Sequence, residues 1–222
     1  MKVMAMIFEN VKMVEISAVN GKAEIEGWEN DHAEVSYTLH GEAEVEVEQR
    51  GEKLIIREEP KKRFFNLLGK SGWAEITVKV PRKATVRAST VNGEIMARNV
   101  SFEKVSTVNG RIELENCEAG EISNVNGRVR AYLALAKSLK ASSVNGPIEL
   151  EIEELEGDAK ISNVNGSIAL ALSDFCDARV KASRVNGAIT FEGIDPENPV
   201  IGTGEFEVKV STVNGNIVVR RI

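Results

Sequence analysis

One eight-residue phrase constrains this chain more than any other feature. It reads apolar, Ser, any residue, Val, Asn, Gly, any residue, then a β-branched or small apolar residue, as in Val105-Ser106-Thr107-Val108-Asn109-Gly110-Arg111-Ile112. The Asn-Gly pairs begin at Asn20, Asn92, Asn109, Asn126, Asn145, Asn165, Asn186 and Asn214. From Asn92 onward the steps between them are 17, 17, 19, 20, 21 and 28 residues. Self-similarity at a period near 20 residues marks a repeat architecture.

Two architectures compete. Asn-Gly is the strongest short hairpin signal, and eight hairpins would make a long meander. A meander, however, gives no reason for Ser and Val to recur at fixed offsets. In a parallel stack each residue lies about 4.8 Å from its own copies, so identity at one position forms a ladder, and Asn ladders bond side chain to side chain. The expected fold is all-β: a single-chain parallel β-solenoid with Ser-x-Val-Asn-Gly repeats, preceded by a short antiparallel-strand region. Asn-Gly is expected at a corner where left-handed backbone turns the chain. Asn92, Asn109, Asn126, Asn145, Asn165, Asn186 and Asn214 are the expected structural ladder.

The chain divides within one domain, 1–222. Residues 1–30 read as the first coil, 31–84 as antiparallel strands with a basic-apolar loop, and 85–222 as regular coils. Ala33 to Leu39, Ala43 to Glu48 and Lys53 to Arg57 are the short strands, and Trp73 to Val80 is another. Residues two and four after each Gly, such as Ile112 and Leu114, are expected to point inward. The residues just before Val (Ala18, Thr90, Thr107, Asn124, Ser143, Asn163, Arg184 and Thr212) are expected on the outer face. Ala131 to Lys140 fits either a helical turn or strand. With 42% hydrophobic but only 5% aromatic residues, the core must be built from Val, Ile, Leu and Ala.

Chemistry-bearing patterns are sparse. His32 and His40 lack the spacing of a zinc pair, and no histidine follows His40 to activate a repeated serine. Asp falls at no fixed offset in the repeat, against calcium-binding rolls. No catalytic residue, metal or cofactor is expected. The net charge of −6 argues against nucleic acid as a partner. Cys117 and Cys176 stand apart, with no CxxC, and read as small core residues of a reducing compartment. The leading apolar run is too short for a secretory signal, and no run has membrane-spanning length, so a soluble cytoplasmic protein is expected.

One segment places basic and large apolar residues side by side: Lys61, Lys62, Arg63 and Lys70 bracket Phe64, Phe65, Leu67 and Leu68, with Trp73 just beyond. It fits either a cap on the solenoid or a contact for a partner or an anionic membrane surface. A second pattern, Glu113, Glu115, Glu149, Glu151 and Glu153, forms acidic stripes on alternating strand positions.

The Ser-x-Val-Asn-Gly-x-Ile units resemble the adhesin-type β-solenoid family of bacteria and archaea, a family without an assigned function. The strand ending in proline, Ile76-Thr77-Val78-Lys79-Val80-Pro81, and the stretch Gly51 to Ile56 are similar to parts of that family. The resemblance implies a β-solenoid fold and an envelope or adhesion role, and it brings no catalytic or metal-binding residues. The expected function is a non-enzymatic scaffold or interaction protein, adhesin-like, with a protein partner. The alternatives are a polysaccharide-binding or carbohydrate-active β-helix protein using the acidic stripe, and peripheral membrane association through residues 61–73. Because the chain stops at Ile217 to Ile222, directly after the last copy, a homo-oligomer through the open solenoid ends is also expected.

Overall fold

The computed structural model describes residues 5–60 and 72–222, and every regular element among them is a strand. The chain runs through β1 (Met6–Glu9), β2 (Met13–Trp28), β3 (His32–His40), β4 (Ala43–Arg50), β5 (Lys53–Pro60) and β6 (Trp73–Pro81). It continues through β7 (Thr85–Arg98), β8 (Ser101–Asn109), β9 (Ile112–Asn126), β10 (Val129–Ala136), β11 (Lys140–Asn145), β12 (Ile148–Leu155), β13 (Ala159–Asn165) and β14 (Ile168–Leu172). It ends with β15 (Ala178–Asn186), β16 (Ile189–Glu192), β17 (Phe206–Asn214) and β18 (Ile217–Arg221). Most pairings are parallel, and the coils stack in a solenoid-like body.

Register follows the repeat. Ser89 lies opposite Ser106 and Asn92 opposite Asn109; Ser106 then faces Ser123, and Asn109 faces Asn126. After the Asn-Gly corner the chain enters a second set of strands, where Ile95, Ile112, Val129, Ile148, Ile168 and Ile217 form one inward column. Identical apolar residues stacked at strand spacing fill the narrow interior without aromatic bulk. Ile112, Ile148 and Ile217 are fully buried.

The corner differs from the expected one. Its asparagines are not left-handed, whereas Asn99 (φ 56°) and Asn116 (φ 52°), at the opposite corner, are. There the Asn116 amide donates to the Asn99 side-chain oxygen at 2.7 Å. At the Asn-Gly corner the glycine carries the unusual geometry, as at Gly127 (φ 139°). A Cβ on Gly127 would lie 1.8 Å from the Gly110 carbonyl oxygen, so close packing of successive corners leaves room for hydrogen only. The asparagine side chains then bond along the stack: Asn109 to Asn92 at 2.9 Å, Asn126 to Asn109 at 2.8 Å and Asn145 to Asn126 at 2.8 Å. These amides are exposed.

The outward assignment of the residues before Val is also corrected. Thr90, Thr107, Asn124, Ser143, Asn163 and Thr212 are buried, while Val91, Val108, Val125, Val144, Val164 and Val213 are 38–42% exposed. Strand alternation decides this: Ser and Val are two apart and share the outer face, so the residue between them faces in. The inward polar groups serve the corner. Asn124 and Asn163 donate to the carbonyls of Gly110 (3.1 Å) and Gly146 (2.7 Å), and the Thr212 hydroxyl donates to that of Gly166 (3.1 Å).

Neither end of the stack follows chain order. β5 and β6 pair in parallel with the two halves of β2, so these two strands lie outside β2 in the stack and β2 is second, not first. The antiparallel strands flank them: β4 beside β5, then β3 beside β6 and β1 beside β3. At the other end, β17 lies between β13 and β15, and β18 between β14 and β16. The last coil in sequence is thus interior, which removes the premise that Ile217 to Ile222 form an open end. The terminal coil is 178–192. The connection after it folds Ile194 and Ile201 into the core (8% and 2% exposed), and Arg179 bridges Val200. Residues 131–140 hold no helical turn: β10 runs to Ala136, and Ser138 (φ 56°) turns the chain.

Gly127→Ala and Asn126→Ala separate the two corner terms. Gly127→Ala is expected to cost about 3 kcal/mol or more, through backbone collision. Asn126→Ala should cost only about 1 kcal/mol, since its ladder bonds are solvent-exposed. Urea unfolding of both variants checks the order, and equal losses would refute it.

Candidate functional site

Of the segment singled out by its basic and apolar residues, Lys61, Lys62, Arg63, Phe64, Phe65, Leu67, Leu68 and Lys70 lie outside the described residues. Trp73 opens β6 and is 38% exposed; it stacks on His40 with centroids 4.0 Å apart and planes 10° from parallel. Glu58 pairs with Ala18, and Ala74 with Gly21, so β5 ends and β6 begins beside the first Asn-Gly corner.

Glu58 occupies the inward polar column at this end. It is 1% exposed, and its Oε2 accepts from the Val19 and Asn20 amides at 2.7 and 2.8 Å. The adjacent coil holds Ala18 at that position and the following coils Thr90 and Thr107, so the carboxylate closes the column beside the first Asn-Gly corner. Burial pushes its carboxyl above the ordinary range, the two amides oppose the rise, and Glu59 adds to it.

A trough of about 1110 Å³ runs across the coils on the outer face of the second set of strands. Two outward columns build it. One passes through Met96, Glu113, Arg130 and Glu149; the other runs from Arg98 to Glu115 and, across a register shift between β9 and β10, from Tyr132 to Glu151. Arg98 pairs with Glu26 at 2.8 Å, Arg130 lies 3.9 Å from Glu149, and Arg111 lies 3.7 Å from Glu113. The Tyr132 hydroxyl donates to Glu153 at 2.6 Å, a bond that raises the phenol above its usual range. The carboxylates of Glu115 and Glu151, either side of Tyr132, make no ion pair or hydrogen bond among the described residues. Four of the five glutamates expected to form a stripe therefore line one trough, and Glu153 orients its tyrosine from outside. Tyr132 itself was not singled out from sequence. The signal available was column reading, taking the fifth residue after each Gly across coils.

Other reactive groups stand apart from the trough. Both histidines lie on β3: His32 contacts Trp28, whose indole donates to the His32 carbonyl at 2.9 Å, and His40 lies 3.7 Å from Glu75. Cys117 and Cys176 are free and buried, and burial pushes the Cys117 thiol up to about 11. Among the described residues no three His, Cys, Asp or Glu side chains gather in a metal-binding group.

Residues 84–220 match the family described as Toastrack DUF4097. No curated protein matches the chain significantly. Among solved structures, a "putative cell adhesion protein" from Clostridium sporogenes is similar at 14% identity, with 100% of this chain and 99% of that one covered and a TM-score of 0.43. A "putative adhesin" from Bacteroides fragilis is similar at 12% identity, with 100% and 97% covered and a TM-score of 0.45. A "putative lipid binding protein" from Parabacteroides distasonis is similar at 10% identity, with 99% and 96% covered and a TM-score of 0.41.

Two measurements follow from the buried groups. A carboxyl raised by folding stabilises fully below its ordinary value of 4.5, and that contribution fades as pH rises through the folded value. Wild type should therefore lose stability relative to Glu58→Gln as pH rises from about 4 to about 7; a pH-independent difference in urea unfolding would contradict this. Both thiols should resist a soluble thiol reagent in the native state and react on denaturation. Rapid native labelling of either would count against their placement.

Proposed function

The chain belongs to the Toastrack family, and we propose that it is a non-enzymatic recognition protein of adhesin-like type that holds an extended, positively charged segment of a protein partner in the second-sheet trough. The observation carrying this reading is the pair Glu115 and Glu151, unpaired on either side of Tyr132 in a trough that crosses several coils. The lining as a whole leans acidic: Glu24, Glu26, Glu113, Glu115, Glu149, Glu151 and Glu192 face Arg98, Arg130 and Arg220. Such a surface favours cationic partners and excludes polyanions. Tyr132 offers a flat apolar body with little conformational freedom to lose on binding.

A non-catalytic role is supported by the distribution of proton-transfer groups. The histidines sit on β3, where His32 meets Trp28 and Glu34 and His40 lies 3.7 Å from Glu75, and among the described residues no repeated serine hydrogen-bonds to either. General acid–base or nucleophilic chemistry needs such groups within hydrogen-bond reach of each other.

Binding to an array of extended Lys- and Arg-containing peptides tests the reading. Wild type should bind a subset, and Glu115→Gln with Glu151→Gln should weaken that binding at least about tenfold, the equivalent of about 1.4 kcal/mol. Tyr132→Ala should weaken it as well. Unchanged binding by these variants, or release of reducing ends from a polysaccharide panel by wild type, would overturn the proposal.

A further inference from the structure

The opposite face of the stack has a different electrical character. Two residues before each repeated serine, one outward column runs in register through Glu15, Arg87, Lys104 and Glu121, then through Lys140, Lys160, Lys209 and Lys181. Over its first four rungs the charges are neutralised: Lys53 pairs with Glu15 at 2.6 Å, Lys104 with Glu121 at 2.8 Å, and Arg87 with Glu103. Over the last four rungs every residue is lysine.

Like charges directly opposite one another on adjacent strands repel, so this ladder costs the fold stability. Among the described residues, the one carboxylate ion-paired with it is Glu207. Glu207 lies between Lys181 and Lys209, whose ammonium groups hold its carboxyl down to about 2. Lys140 and Lys160 make no ion pair among the described residues. Arg184 extends the positive surface at the terminal coil, where it is exposed in place of the buried Thr or Asn of other coils.

We propose that this face binds a linear anionic polysaccharide lying along the stack axis. Four collinear cations at strand spacing of about 4.8 Å match a polymer that presents acid groups in a line, rather than a compact anion. Beside the lysines run two further outward columns, Ser142 to Ser183 and Val144 to Val185, so hydroxyls and methyl groups adjoin the charges as a sugar chain's own hydroxyls and apolar faces require. None of these rungs presents an aromatic side chain, and single-stranded nucleic acid binding depends on aromatic stacking. The site lies on the opposite sheet from the trough and stands independently of it.

Fluorescence anisotropy of labelled polygalacturonate with the full chain tests this, with neutral dextran, a single-stranded thymidine oligonucleotide and anionic phospholipid vesicles as competitors. Binding is expected to polygalacturonate alone. It should fall as salt rises from about 0.1 M to about 1 M, which shortens the screening length from about 10 Å to about 3 Å. Lys140→Glu with Lys160→Glu should weaken it at least tenfold, and the milder Lys140→Gln with Lys160→Gln, checked for an unchanged melting midpoint, should weaken it less. Lys12→Glu with Lys83→Glu, of equal net charge, should leave it unchanged, as should the trough variant Glu115→Gln with Glu151→Gln. Equal losses in both charge-reversal variants would overturn the site. Tighter binding of oligonucleotide or vesicles would overturn the ligand class. A low-salt oligomer in light scattering that Lys140→Glu with Lys160→Glu abolishes would assign the face to a second copy of the chain instead.

Discussion

The structure depends on how closely successive coils approach at the Asn-Gly corner. From Gly93 onward each corner glycine brings its Cα against the carbonyl of the corner glycine in a neighbouring coil, and Gly21 meets the Ala74 carbonyl, so any side chain would collide. That approach sets the stacking distance on one edge of the body. Everything else in the repeat follows from keeping the distance constant: asparagine amides one rung apart meet, inward Thr and Asn side chains reach the neighbouring glycine carbonyl, and each isoleucine falls above its counterpart. The ladder of asparagine bonds is conspicuous in sequence, yet it is exposed and contributes less than the backbone contact it accompanies.

A stack of identical rungs does not say where to stop. Its end strands present unpaired backbone, which favours edge-to-edge association. Here both ends are made by chain that doubles back. At one end β5 and β6 lie outside β2, flanked by antiparallel strands; at the other, β17 and β18 fill a space left between earlier coils. Placing the final coil inside the stack protects its strands on both sides. The longer connection after Glu192 also delivers Ile194 and Ile201 to cover the core of the terminal coil.

Parallel coils leave two outer sheet faces, each composed of columns that run the length of the body. Because the rise is the same for every column, charges on a column are spaced as regularly as the core residues. One face gathers glutamates around Tyr132 in a concave trough; the other gathers lysines over its last four rungs. A chain of net charge −6 thus carries opposite local potentials across its thickness, which composition alone conceals.

The repeat by itself determined the parallel stack, the register of Ser and Asn, and the inward columns after each Gly, because identity at fixed offsets is only useful when copies lie side by side. The strands between Ala33 and Arg57 were legible from alternation, and so was the glutamate stripe. The order of the coils was decided only by tertiary structure. The unit at Asn186 and the unit at Asn214 are equivalent as sequence, and either could follow Asn165; the length of the connection and burial of Ile194 and Ile201 selected one order. The same holds for β5 and β6, whose pairing with β2 carries no Asn-Gly signal and beside which Glu58 accepts from the Val19 and Asn20 amides. Concavity at Tyr132 and the lysine ladder also required the stack, since each is a property of columns, and columns exist only once distant parts of the chain have been laid in register.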